Sequence, residues 1–286
     1  MGVAVQSKYF AVGAVVPWAR AGVGAVATQA AGVAAYGPAV LALLEQGVEP
    51  EEAVQRTLAR DDGRETRQLA AVSAAGAAAS FTGSHCNEWA GGIVGEGFAA
   101  QGNILVGAAV VEEMARAFGE TAGSLAERMV AGLEAAQAAG GDRRGQQSAA
   151  ILVERQGAAS ETREGIDRTV DLRVDDHPEP VAELRRLLGI QQVWSAIRLG
   201  SARRAQRDFE GAIRILADAL RRFPEDATLL YELACHESLA GRFDQALAHL
   251  RRSLELDPVY REAAAADDDF AELRGDARFR ALTGGA

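Results

Sequence analysis

The last third of the chain repeats itself. Residues 193–226, VWSAIRLGSARRAQRDFEGAIRILADALRRFPED, align with residues 228–260, TLLYELACHESLAGRFDQALAHLRRSLELDPVY, at an offset of 34. The offset pairs Leu199 with Leu233, Phe209 with Phe243, Ala212 with Ala246, Leu216 with Leu250 and Pro224 with Pro258. A fixed period of this length leaves few architectures open. Each copy is a helix–turn–helix unit that cannot bury its apolar face alone and must stack on a neighbour. Small residues at matched sites let the helices approach, and the proline stops the second helix. The pattern begins near residue 190, which predicts a domain over 1–190 and an all-α tail over 191–286, with DDDFAELRGDARFRALTG (267–284) as a closing helical cap.

The repeat resembles the tetratricopeptide repeat. Free-standing arrays need about three copies, so two copies are expected to lean on the preceding domain or on a partner. A peptide or protein partner is the functional expectation for the tail, a packing appendage the alternative, and its open end is compatible with a homodimer. Cys235, His236 and His249 have no companions at ligand spacing and read as core or surface residues.

The first 190 residues alternate between two periods. GVAVQSKYF, VGAVATQA (23–30), SAAILVER and TVDLRVDD read as strands, and LAAVSAAGAAASFTG (69–83) as a hairpin turning at Gly76. GPAVLALLEQG (37–47), PEEAVQRTLARD (50–61), VVEEMARAFGE (110–120) and SLAERMVAGLEAAQAA (124–139) read as amphipathic helices, the last stopped by Gly140. Hairpin strands with helices segregated in pairs predict an α+β layered domain.

A net charge of −10 argues against nucleic-acid or anionic-membrane partners, and two cysteines are too few for a disulfide framework, which makes a reducing cytoplasm the default. No run reaches the roughly 18 apolar residues of a membrane span. YFAVGAVVPW, followed by Ala19-Arg20-Ala21, loosely imitates a signal peptide, but Gly13, Pro17 and Trp18 interrupt it and core is the better reading. Of 30 basic residues 29 are arginine, leaving Lys8 as the sole lysine. Arginine-favouring base composition explains this, and so does a site that needs a compact or pKa-shifted ammonium.

Four polar clusters interrupt the Ala/Val/Gly texture: Ser7-Lys8 at a strand end, FTGSHCNEWAGG (81–92), QGNIL with Asn103, and the loop AAGGDRRGQQSAA (138–150). In that loop Asp142 can orient an arginine while Arg143 and Arg144 offer forks matched to a carboxylate, although ion pairing that only pins the loop explains the same residues. His85 and Cys86, adjacent on an extended segment, cannot both enter one site, and Cys86 reads as a small buried residue. Asn103 fits a turn or an oxyanion donor. Asp175, Asp176 and His177 could ligate a metal or cap the helix that Pro178 and Pro180 introduce.

The succession GVAVQSKYFAVGAVVPWARAGVGAVATQA, YGP, RETRQLAAVSAAG, FTG…C…WAG, QGNIL, AAGGDRRGQQSAA and DLRVDDHPEPVAELRRLL resembles the bacterial and archaeal domain of unknown function 1028, over residues 1 to about 190. That family is assigned to the N-terminal nucleophile (Ntn) hydrolases. The resemblance implies a four-layer αββα sandwich and hydrolysis of a small amide-containing substrate by an N-terminal Thr, Ser or Cys whose own α-amine is the base, with no cofactor or metal. Family members ordinarily open with one more strand carrying that nucleophile, whereas this sequence starts at Met1-Gly2. A start placed downstream, a non-catalytic member and internal autocleavage are the three explanations. By analogy of fold, Lys8 and Asn103 are expected to be catalytic, and Ser7, Asp142, Arg143 and Arg144 to bind substrate. The alternative is a non-catalytic binding or scaffold protein acting through its repeats.

Overall fold

The computed structural model describes residues 1–160 and 165–284. The chain divides into two compact units, Met1–Leu188 and Gly189–Ala286.

In the first unit, the opening strand β1 (Gly2–Ser7) is followed by β2 (Pro17–Arg20), β3 (Gly24–Ala30), α1 (Tyr36–Glu45) and α2 (Pro50–Leu58). Next come β4 (Arg67–Ser73), β5 (Ala78–Thr82), β6 (Gly91–Gly95), β7 (Phe98–Gly102), α3 (Ala109–Glu120) and α4 (Leu125–Ala138). β8 (Ser148–Glu154), β9 (Arg168–Val174) and the start of α5 (Pro180–Ala205) complete it. All pairings are antiparallel: one sheet runs β1-β8-β9, a second β2-β3-β4-β5, and β6-β7 form a separate hairpin.

The helices cover the sheets through apolar faces. Val40, Leu41 and Leu44 of α1 and Val54 and Leu58 of α2 pack on Val26, Leu69 and Ala71 of the four-stranded sheet. Val130 and Leu133 of α4 and Leu184 and Leu188 of α5 pack on Ile151 and Val174 of the three-stranded sheet. Alanine-rich strands leave room for such close layering, and β8 (SAAILVE) is buried from Ser148 to Val153 as its unbroken apolar run predicts. Ser124 and Glu127 cap α4 reciprocally, and Gly140, at φ 111°, ends it in a backbone conformation that side chains disfavour. Gly76, at φ 93°, makes the predicted turn between β4 and β5.

Two elements were not visible in the sequence. β2 is only four residues long, and the β6-β7 hairpin (GGIVG and FAAQG) contains three glycines in its first strand. Glycine is a poor strand former, but a Cβ at Gly92 would stand 2.8 Å from Ser80 Oγ, and one at Gly91 would stand 2.7 Å from the Trp89 ring. Packing at close range, not propensity, selects these residues. The Val12–Val16 stretch is core only in part: Val12, Gly13 and Val16 are buried, whereas Ala14 and Val15 are exposed.

The second unit is helical. After α5 come α6 (Phe209–Arg222), α7 (Ala227–Leu239), α8 (Phe243–Leu256) and α9 (Tyr260–Ala266), then a 3₁₀ segment (Asp268–Leu273) and α10 (Ala277–Thr283). Asp208, Asp226 and Asp276 cap α6, α7 and α10 through backbone N–H groups. Ala212, Ala246, Leu216 and Leu250 are buried, as their matched positions require. Leu233 is buried too, yet its match Leu199 is 53% exposed. Leu233 belongs to the cluster joining α5, α6 and α7, and Leu199 lies outside it. Matching letters report the repeat; burial depends on which neighbour covers that turn.

Candidate functional site

A cavity of 510 Å³ opens inside the first unit, within the range of small-molecule sites. The whole of β1 lines it, with β3, β7 and the segment Asn103–Leu105, the facing sides of α3 and α4, and Asp142 and Arg144. Its apolar wall includes Val110, Met114, Phe118, Met129 and Leu133; its polar lining includes Ser7, Gln29, Gln101, Asn103, Asp142 and Arg144.

The density of polar groups over residues 140–148 is explained by what each one holds. The loop is pinned to the segment after β7 by a Leu105–Asp142 bridge and by the Arg143 N–H donating to the Ile104 carbonyl at 2.8 Å. Asp142 is 7% exposed. Its carboxylate accepts from Arg144 Nε at 3.0 Å, Arg144 Nη2 at 2.7 Å, the Arg144 N–H at 2.9 Å and the Lys8 N–H at 3.3 Å. Burial works to raise the Asp142 pKa, but these hydrogen bonds outweigh it and hold the group below the usual carboxylate range. Ser148 Oγ accepts from the Val12 N–H and donates to the Tyr9 carbonyl, clamping the chain after β1 onto β8. Gln147 Nε2 donates to Asp176 at 3.1 Å.

The predicted residues therefore separate. Ser7, Asn103, Asp142 and Arg144 meet at the cavity, while Lys8 and Arg143 stand outside its lining. Lys8 is exposed, and its ammonium donates to the Gln146 carbonyl at 3.2 Å. Lys8 lies one residue past the end of β1, where its backbone N–H, not its side chain, turns toward Asp142. Cys86 is buried, its Sγ donates to the Arg67 carbonyl at 3.3 Å, and burial pushes its thiol pKa up, as fits a packing residue. His177 Nδ1 accepts the Glu179 N–H near the start of α5, and Asp176 is engaged with Gln147.

One group that sequence reasoning overlooked organises the polar wall. Gln68 is fully buried on β4. Its Nε2 donates to Thr82 Oγ1 at 2.9 Å and to the carbonyls of Gly91 and Gly102 at 3.1 and 2.9 Å. Its Oε1 accepts from Gln29 Nε2 at 2.9 Å and Asn103 Nδ2 at 3.2 Å. Asn103 is thus fixed through an amide hub, with one N–H of its amide committed to Gln68. The available signal was a set of glutamines, Gln6, Gln29, Gln68 and Gln101, placed on alanine-rich strands.

Among the described residues, one set of His, Cys, Asp or Glu groups has metal-like spacing: Cys235, Asp267 and Asp269 in the second unit, with ligand atoms within 4.8 Å of one another. Arg204 forks onto Asp269, the Tyr231 hydroxyl donates to Asp267, and burial drives the Cys235 thiol pKa far up. The donor set is that of a hydrogen-bonded cluster. No helix among the described residues is long and apolar enough to cross a membrane.

Residues 1–184 match the family model of DUF1028, a family of unknown function. The chain belongs to the DUF1028 family. Residues 203–266 match a tetratricopeptide repeat, so a DUF1028 domain is followed here by a repeat module. Among solved structures, the DUF1028 protein SPO2555 from Silicibacter pomeroyi is similar, at 34% identity and a TM-score of 0.59 over 65% of this chain and 81% of that one. No curated protein matches.

Proposed function

We propose that the DUF1028 unit is an Ntn-type αββα sandwich whose cavity holds a small amide for hydrolysis. The observation that carries this reading is the convergence of Ser7, Asn103, Asp142 and Arg144, from three separate segments, on one cavity with an apolar wall. The layering of α1 and α2 on one sheet and α4 on the other supports the sandwich. In this reading Ser7 and Asn103 meet the amide group. Arg144, oriented by Asp142, takes a carboxylate on the substrate with the guanidinium face that Asp142 leaves open. Lys8 and Arg143 act by position, holding the loop through Gln146 and Ile104.

A second reading is binding without turnover. It is favoured by one fact: the described lining contains no histidine, cysteine or lysine that could activate a hydroxyl. The repeat module is read as the part that meets a peptide or protein partner, supported by exposed Ile190 and Trp194, one helical turn apart on α5, the helix that leads into the matched residues 203–266.

The test is a panel of N-acyl amino acids incubated with the full chain, following both amine release and ligand-induced thermal shift. Release that is lost in Ser7→Ala and Asn103→Ala supports hydrolysis. Binding without release, weakened about tenfold by Arg144→Ala, supports the second reading. Neither binding nor release sinks both.

A further inference from the structure

β9 is the outermost strand of the three-stranded sheet, with β8 between it and β1. Met1 and Glu154 exchange both backbone hydrogen bonds, at 2.7 and 2.8 Å, so the N–H and C=O groups of Glu154, Leu152 and Ala150 point to β1. Those of Val153, Ile151 and Ala149 point the other way, to β9, because successive residues of a strand address opposite neighbours. Their partners are Val170, Leu172 and Val174, which turns the backbone groups of Asp171 and Arg173 away from β8. Asp175 follows with the same parity, and its carbonyl accepts from the Ala11 N–H at 3.0 Å. Among the described residues, no backbone group meets those of Asp171 and Arg173 on that side.

Charge on an edge strand commonly keeps other strands away. Here both signs share one face. Asp171 accepts from Arg168 Nη1 at 2.9 Å and from Arg173 Nε at 3.2 Å, and the Arg173 side chain is 44% exposed. The other face is apolar, with Val170, Leu172 and Val174 in the core cluster beneath α4 and α5. Such a strand complements itself in one register. Two antiparallel copies related by a two-fold axis at Leu172 set Asp171 opposite Arg173 of the second copy, and Arg173 opposite its Asp171. On the apolar face Leu172 meets Leu172, and Val170 meets Val174. Asp171 and Arg173 are also the residues whose backbone groups point outward, so each of the two pairs exchanges both of its N–H···O bonds. An axis at Asp171 or at Arg173 sets like charges against each other instead.

We infer that β9 pairs with β9 of a second copy of this chain, antiparallel about a two-fold axis at Leu172, and so joins two three-stranded sheets into one. The occupant follows from charge complementarity and hydrogen-bond phase, which select the same pair of residues. The paired stretch is short, so the dimer is weak and forms as concentration rises. The inference concerns a surface of the DUF1028 unit and does not depend on what the cavity holds.

Sedimentation equilibrium of the full chain from about 1 µM to about 1 mM should show monomer and dimer in exchange. Asp171→Arg leaves two arginines at the junction and Arg173→Asp leaves two aspartates. Each variant alone opposes like charges and is expected to dimerise at least about tenfold more weakly than the wild type. An equimolar mixture of the two variants restores opposite pairs and should dimerise like the wild type, as should the chain carrying both substitutions. Hydrogen exchange at the Asp171 and Arg173 amides should slow as the dimer forms, while exchange at Leu172, which faces β8, stays unchanged. If a variant does not fold, the exchange measurement tests the same bonds on the native chain.

A monomer across the whole range overturns the inference. So does a dimer that both variants retain, or one that mixing the variants does not restore, because the contact then lies elsewhere or in another register. Exchange at Asp171 and Arg173 that is independent of concentration overturns it as well.

Discussion

In the helical unit buried polar side chains close on one another. Glu237 meets His249 at 2.7 Å, Ser253 donates to the Ala227 carbonyl at 2.8 Å, Ser238 to the Asp269 carbonyl at 2.7 Å, and Asp269 holds Arg204. His236 Nε2 is a buried nitrogen without a partner among the described residues. The DUF1028 unit instead arrays polar side chains, among them Ser7, Gln29, Asn103 and Arg144, around an empty volume. Unpaired polar groups in a low-dielectric interior are costly. Polar groups that pair with one another only hold a core together, whereas polar groups around an empty volume are available to a ligand.

The contrast is sharpest in the response to truncation. Phe270 is fully buried between Tyr231 and Phe279, so Phe270→Ala should cost about 3–5 kcal/mol. Met129 already borders empty space, so Met129→Ala removes fewer contacts and should cost under about 2 kcal/mol. Urea unfolding of the full chain, read by far-UV circular dichroism, measures both. Equal costs would mean that the cavity is collapsed in solution, and the comparison between the units would fail.

Next in size is Gln68→Leu. The substitution keeps the volume but leaves the Gly91 and Gly102 carbonyls, Thr82, Gln29 and Asn103 without their shared partner. A loss of about 2–3 kcal/mol is expected, with weaker ligand binding because Asn103 is freed. A stability change within about 0.5 kcal/mol would show that water replaces the hub and that the polar wall is not preorganised.

Gln68 also marks where the sequence ceased to be legible. Long periodic elements were readable: α1 to α4, the β4-β5 hairpin, β8, and the helices of the repeat all follow from apolar spacing, caps and turn glycines. β6 was not, because its glycines are selected by Ser80 on β5, by the facing backbone of β7 and by the rings of Trp89 and Phe98, and local propensity carries no trace of that. The site was half legible. Ser7, Asn103, Asp142 and Arg144 stood out as polar interruptions and do converge, but Lys8 was marked by its rarity, and rarity says nothing about direction.

A smaller effect separates the units by pH. Asp142 has a folded-state pKa below its ordinary 3.8, so it contributes stability that is complete above about that pH and is lost as pH falls through the lower folded value. The difference in urea midpoint between wild type and Asp142→Asn should therefore be present at pH 7 and shrink toward zero below pH 3.8. Asp276, lowered to about 2 chiefly by hydrogen bonds from Arg278, has the same sign in the helical unit, but its partner Arg278 is exposed and screened by water, so it should move the midpoint less. A difference for Asp142→Asn that grew on acidification would mean that Asp142 is not held as an anion by Arg144.

At the surface the contrast between the units should vanish. Arg116 on α3 pairs with Glu113 at 2.6 Å and Glu120 at 2.5 Å, and Arg221 on α6 pairs with Asp218 at 2.6 Å. All of these side chains are largely exposed. Water screens such pairs and ordering long side chains offsets the Coulomb gain, so Arg116→Ala and Arg221→Ala should each change stability by no more than about 0.5 kcal/mol. Urea midpoints at 0.05 and 0.5 M salt check this, since a real contribution must fall with ionic strength. If Arg116→Ala cost several times more than Arg221→Ala, and salt did not reduce the cost, the difference between the units would extend to their surfaces. The distinction drawn from the cavity would then reflect a general difference in stability and not the cavity itself.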